Sequence, residues 1–216
     1  MRITITIARQ LGCGGSIVGQ EIADRLNIRC IDREIVSRTA QQFEVEEEEV
    51  ANREEKVSSF WERVLGGLII PAPEAAFIPA PSLSPTDREI FASETEVMKS
   101  IAQTEDCVIV GRAGAHVLPS HPGMFNIYLH APLSFRVPRV MEYYGINEGQ
   151  ALAKIKRSDE TREKFITQVT GRDAADARHY HLCLDSSMLP LAEVADLVSR
   201  FVQRRVDTSS APTVTI

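Results

Sequence analysis

Apolar residues recur along this chain in two alternating rhythms. Short β-branched or apolar runs at residues 3–7, 28–31, 107–110, 125–129 and 182–184 read as strands. Between them the spacing widens to the helical three or four. Val18, Ile22 and Leu26 follow that interval after the first strand, and Val194, Leu197, Val198 and Phe201 follow it after the last, introduced by Pro190. Strands alternating with helices predict an α/β fold, a five-stranded parallel sheet with helices on both faces. Ligands in such sheets bind beyond the C-terminal ends of the strands, so the residues just after each strand carry the functional information.

Between the second and third strands the pattern breaks. Residues 33–42 read as helical, 44–56 are strongly acidic, 60–70 are apolar around Gly66-Gly67, and 71–85 are rich in proline. A helix resumes at 87–103, with Ile90, Val97, Met98 and Ile101 inward. The acidic run reads as a solvated helix face, and the proline-rich stretch as extended chain. An insertion at about 43–86 suits a mobile cover over a substrate. Equally, Phe60, Trp61, Leu65, Leu68 and Ile69 form an apolar patch suited to a homodimer contact through the 60–70 segment. One domain is expected over 1–206, with a flexible tail at 207–216.

Composition narrows the function classes. A chain of 216 residues supports one α/β domain with a sizeable core, and a net charge of -6 argues against nucleic acid as a partner. No run approaches the ~18 apolar residues of a membrane span, and the opening Met1 to Ile7 alternates like a strand, unlike a secretory signal. Cys13, Cys30, Cys107 and Cys183 show no metal or redox spacing. The last three lie in strand-like runs, where buried thiols are inert. The expectation is a cytoplasmic protein with reduced thiols. Cys13 reads as a small residue filling a loop.

The strand ends carry the chemistry. After the first strand, Ala8-Arg9-Gln10-Leu11-Gly12-Cys13-Gly14-Gly15-Ser16 leads directly into a helix. A glycine turn at a helix N-terminus points backbone amides at an anion, which makes a phosphate cradle. The usual phosphate loop would carry Gly at position 9 and Lys at position 15, where this chain has Arg9 and Gly15. A dinucleotide fingerprint fits poorly, since Ile17 stands where its third glycine belongs. Asp32, after the second strand, either caps the next helix or joins Arg33 in contacting an acceptor. Arg112, on the glycine-flanked turn Gly111-Arg112-Ala113-Gly114, is suited to bidentate phosphate binding. Arg136 and Arg139 share a helix face after the fourth strand, where His130 reads as a polar strand-end residue. Residues 154–164 form either a salt-bridged helix or a lid that brings arginines to a phosphoryl group. His179 and His181 read as strand-entry residues, not metal ligands.

In order, Ile7 to Gly15, Asp32-Arg33-Glu34-Ile35, residues 108–114, Tyr128 to Leu133 with Arg136, Asp159-Glu160-Thr161-Arg162, and residues 180–189 resemble the cytidylate kinase-like family. This is a branch of the nucleoside monophosphate kinases among the P-loop NTPases. The resemblance covers most of the chain and is weakest across 45–85. It implies a P-loop three-layer fold, with ATP on Gly12, Cys13, Gly14, Gly15, Ser16 and Ile17. The acceptor would meet Asp32, Arg33 and Arg112. It implies catalytic roles for Arg9, Arg112, Arg157, Asp159 and Arg162, the last three on a lid at about 147–172. Asp159 would orient lid arginines or reach the shell of Mg²⁺. The activity implied is phosphoryl transfer from ATP, with Mg²⁺, to a nucleoside monophosphate, CMP or dCMP first. The alternatives are a nucleotide-binding or sensing module with little turnover, or a kinase for another small acceptor. True cytidylate kinases keep the loop lysine; Gly15 replaces it here, as this branch often does, and Arg9 is the cation placed to reach back. Ser16 follows the paired glycines, where the branch commonly has arginine. Ser16 either binds Mg²⁺ or caps the helix.

Overall fold

The computed structural model describes residues 2–32, 85–111 and 113–210. The strands are β1 (Thr4–Arg9), β2 (Arg29–Ile31), β3 (Cys107–Val110), β4 (Met124–His130) and β5 (Leu182–Asp185). They form one sheet in the order β2-β3-β1-β4-β5, every pairing parallel. The helices are α1 (Gly15–Leu26), α2 (Pro85–Thr104), α3 (Gly114–Val117), α4 (Leu133–Tyr144), α5 (Glu148–Thr170) and α6 (Leu191–Ser210). The segment 43–84, with the apolar stretch at 60–70, lies outside the described residues, as do Arg33, Arg112 and positions 211–216.

The alternation of β1 decides which side chains meet which layer. Ile5 and Ile7 point into a core shared with Val18 and Ile22 of α1 and with Val194, Val198 and Val202 of α6. Thr4 and Thr6 are buried too, and the Thr6 hydroxyl is satisfied by donating to Asn126 Oδ1 at 2.8 Å. A second core joins Met98 and Ile101 of α2 to Ile31, Ile109 and Met124. Helices therefore cover both faces, the three-layer α/β arrangement expected from the periodicity.

Several details differ from the sequence reading. β1 runs two residues past Ile7, because Ala8 and Arg9 stay in register with Tyr128 and Leu129 of the longer β4. Leu197 was expected inward but is exposed, since the buried stripe of α6 passes through Val194, Ala195, Val198 and Val202. The same helix continues to Ser210, past the expected tail start at 207, and Thr208 Oγ1 donates to the Arg204 carbonyl at 2.6 Å. Cys183 is exposed, because β5 is the edge of the sheet. Among the described residues, no helix is long and apolar enough to cross a membrane.

The segment read as a lid is one continuous helix. Asn147 Oδ1 accepts from Gln150 N at 2.9 Å while Gln150 Oε1 accepts from Asn147 N at 3.1 Å, a capping box that starts α5. Ala151 and Ile155 pack on Val137 and Val140 of α4, and Leu11 of the glycine loop joins that cluster. The helix pair is thus seated on the loop.

Candidate functional site

The loop at the end of β1 has the backbone of an anion cradle. Gly12 and Gly14 adopt φ of 85° and 84°, where a side chain would be strained and would collide. A Cβ on Gly12 would lie 2.9 Å from the Arg136 carbonyl, and one on Gly14 would lie 2.5 Å from Leu191 Cδ1. Gly14 caps α1 without a side chain, so no side chain occupies the first amides of that helix. Ser16 accordingly does not cap: its hydroxyl donates to Asp32 Oδ2 at 2.9 Å across the mouth of the loop. Ile17, in the first turn, is exposed.

Neighbouring elements fix the loop's path. Gln10 N donates to the Leu129 carbonyl at 3.1 Å, and its side-chain oxygen accepts from Ala131 N at 3.2 Å. The buried Ser186 hydroxyl donates to the Cys13 carbonyl at 2.7 Å. Cys13 is itself buried, and that burial pushes its thiol pKa up, as suits a filler and not a nucleophile.

Arg9 crosses this cradle. Its stem passes over Gly15 and its guanidinium lies against Gly111, with Nη2 3.5 Å from Asp32 Oδ1. Asp32 therefore faces both Ser16 and Arg9. From the other side come α4 and α5. Asp159 Oδ1 accepts from Leu11 N at 3.0 Å, while Asp159 Oδ2 pairs with Arg136 Nη1 at 2.5 Å. Arg136 Nη1 also donates to the Leu11 carbonyl at 3.3 Å. Arg162 Nη1 donates to the Arg9 carbonyl at 2.9 Å. Burial, with the like charge of Arg9 second, lowers the Arg162 pKa to about 10, so it stays cationic at neutral pH. Burial first, then the Asp159 and Glu163 charges, pushes the Tyr128 hydroxyl up to about 12.

The predicted residues thus divide. Arg9, Gly12, Cys13, Gly14, Gly15, Ser16 and Asp32 meet at the mouth of the sheet, and Asp159 and Arg162 reach the loop from α5. Arg157 is half-buried on the same helix. Arg33 and Arg112, expected on the acceptor, lie outside the described residues. Arg136 and Arg139, expected on one face, diverge: Arg136 is buried against the loop, whereas Arg139 lies over the Phe135 ring at 5.3 Å. The sequence reading missed how central Arg136 and Gly111 are. Arg136 sits one residue before Val137 on the buried side of α4, a signal that its charge turns inward. His130 stacks on Tyr128, and His181 Nδ1 accepts from Asn126 N at 2.8 Å. His179 meets the His116 ring edge-on at 5.5 Å.

Known proteins resemble this chain in sequence and in fold. A curated cytidylate kinase from Sulfolobus acidocaldarius is 28% identical over 113 residues, a region covering 52% of this chain and 61% of that enzyme. A crystal structure of an uncharacterized protein from Eubacterium ventriosum superposes with a TM-score of 0.69 at 20% identity, covering 94% of this chain and 99% of that one. A gluconokinase structure from Sinorhizobium meliloti gives 0.51 at 17% identity, covering 98% and 100%. At such identities the structures speak for the fold, which is that of P-loop kinases. The sequence profile of the cytidylate kinase-like family matches residues 4–188, from the first residue of β1 to just beyond β5. With the glycine loop, the β2-β3-β1-β4-β5 order and that match in agreement, the chain belongs to the cytidylate kinase-like family.

Proposed function

We propose that this protein transfers the γ-phosphoryl group of ATP to a nucleoside monophosphate, CMP or dCMP, as a cytoplasmic enzyme. The observation that carries this reading is the convergence of Arg9, Ser16, Asp32 and Arg162 around a glycine loop that leads into α1 without a side-chain cap. Such a site suits a reaction that needs positioning, charge neutralisation and exclusion of water more than a general base. The α1 amides and the loop hold the donor phosphates. Arg162, fixed to the Arg9 carbonyl, adds positive potential beside them. Arg157 on α5 and Arg33 and Arg112 at the strand ends complete the proposed set, the latter two on the acceptor phosphate.

Mg²⁺, which the kinase family implies, finds hard oxygen donors of the right kind in Ser16 and Asp32, whose oxygens are 2.9 Å apart. These residues would hold it through one hydroxyl and one carboxylate. When bound, the ion would supply neutralisation of phosphate charge.

The test is a steady-state assay of purified protein with ATP and Mg²⁺ against CMP, dCMP, UMP, AMP and GMP, following ADP and the new diphosphate together. Turnover on CMP or dCMP at least about tenfold above the other acceptors is expected. ATP binding without transfer to any of them would overturn the reading. It would favour a nucleotide-sensing module, or a kinase for another small acceptor.

A further inference from the structure

The position that carries lysine in the common phosphate loop is Gly15 here, and the structure gives a reason for the exchange. A Cβ on Gly15 would stand 2.4 Å from Arg9 Cδ, 3.0 Å from Arg9 Cβ and 3.2 Å from Arg9 Cγ. The shortest contact is with Cδ, so a side chain at 15 forces the arginine stem off this path, while the Cβ contact asks only a few tenths of an ångström. The guanidinium then reaches Gly111, where a Cβ would lie 2.2 Å from Arg9 Nη1 and φ is 81°. Two glycines, the first residue of α1 and the residue just after β3, thus flank the path along which one arginine passes. A Cβ at position 15 obstructs that path. Asp32 Oδ1, 3.5 Å from Nη2, holds the head of the arginine at the mouth of the loop. The backbone of Arg9 is equally constrained, as the last residue of β1 in register with Leu129 and as acceptor to Arg162.

From this packing we infer that Arg9 takes the role of the missing lysine as the cation on the transferring phosphoryl group, and that Gly15 is the condition for it. The charge has moved from the first helical turn to the strand end. The two solutions compete, because a Cβ at 15 and the present arginine stem claim the same volume. The planar fork at that place suits two phosphate oxygens, where lysine offers one point charge. Gly111 is a positioning residue in the same device. The inference rests on the phosphotransferase reading above.

It makes a test by reciprocal exchange. The full chain and its Arg9→Ala, Gly15→Lys and Arg9→Ala/Gly15→Lys variants are compared for Mg·ATP affinity by calorimetry and for phosphoryl transfer to the best acceptor. Each single change should lower kcat by roughly a hundredfold. The double variant should recover at least about tenfold over either single one, since the lysine then enters the space the arginine has left. A double variant no faster than Arg9→Ala overturns the inference. Should Gly15→Lys fold poorly, Gly15→Ala gives a second readout in urea unfolding. It should lower the midpoint clearly more when Arg9 is present than in the Arg9→Ala background, where only the 3.0 Å Cβ contact remains; equal effects in both backgrounds overturn the inference. The kinase reading fails separately: a wild-type chain that binds no Mg·ATP overturns it, and the role of Arg9 with it. Wild-type binding and turnover without recovery in the double variant remove only the exchange.

Discussion

At the scale of single residues, Asp159 ties three parts of the molecule together. Its oxygens engage Leu11 N of the loop and the guanidinium of Arg136, which is only 7% exposed. Breaking such a pair from one side leaves a charge without its partner in a place of low polarity. Asp159→Asn keeps an acceptor for Leu11 but removes the charge facing Arg136, whose Nε is already buried without a partner. It should cost about 3 kcal/mol in urea unfolding. A loss below about 1 kcal/mol would mean that water replaces the carboxylate. Individual residue types were legible at this scale, and their partners were not. Asp159 and Arg136 are 23 positions apart, and nothing in that spacing announces a 2.5 Å contact. Ser16 was open between metal ligand and cap. Only the placement of Asp32 opposite it, 16 positions on, removed the cap.

At the scale of elements, propensity and periodicity located the strands and the main helices, because these depend on neighbours within a turn or two. Their ends depend on partners. β1 continues through Arg9 since β4 extends beside it, and that continuation makes Arg9 a rigid strand residue instead of a loop residue. The start of α5 is a local matter, set by the reciprocal bonds of Asn147 and Gln150. Asn147→Ala should therefore cost about 1 kcal/mol of stability. Because α5 carries Asp159 and Arg162 to the loop, the same change is expected to raise the KM for ATP while leaving the sheet intact. Urea unfolding paired with steady-state kinetics checks both parts. A stability loss with unchanged KM would separate the cap from the seat of the helix on the loop.

At the scale of the whole molecule, stability should fall on acidification through a group far from the phosphate loop in sequence. Burial, then the charges of His179 and Arg172, lowers the His116 pKa from 6.5 to about 4. Its Nε2 lies 3.1 Å from the Tyr180 hydroxyl, and its Nδ1 is buried without a partner. The folded state therefore refuses a proton that the unfolded chain accepts between about pH 6.5 and pH 4, and stability declines as pH falls through that window. His116→Gln should remove on the order of 1 kcal/mol of that decline, allowing for solvent screening. The check is the urea midpoint at pH 7 and pH 4.5, and parallel losses in variant and wild type would exclude His116 as the cause. The sequence by itself determined the α/β class, the parallel sheet, the glycine cradle after the first strand and the family resemblance. All of these follow from local periodicity, turn chemistry or the order of motifs along the chain. The tertiary structure decided which charges meet: Arg9 with Asp32, Asp159 with Leu11 and Arg136, Arg162 with the Arg9 backbone. It also laid the Arg9 stem across the space that a Cβ at Gly15 would take. Such facts arise from packing between segments far apart in sequence or at a turn, where volume and charge are shared and no one segment specifies the result.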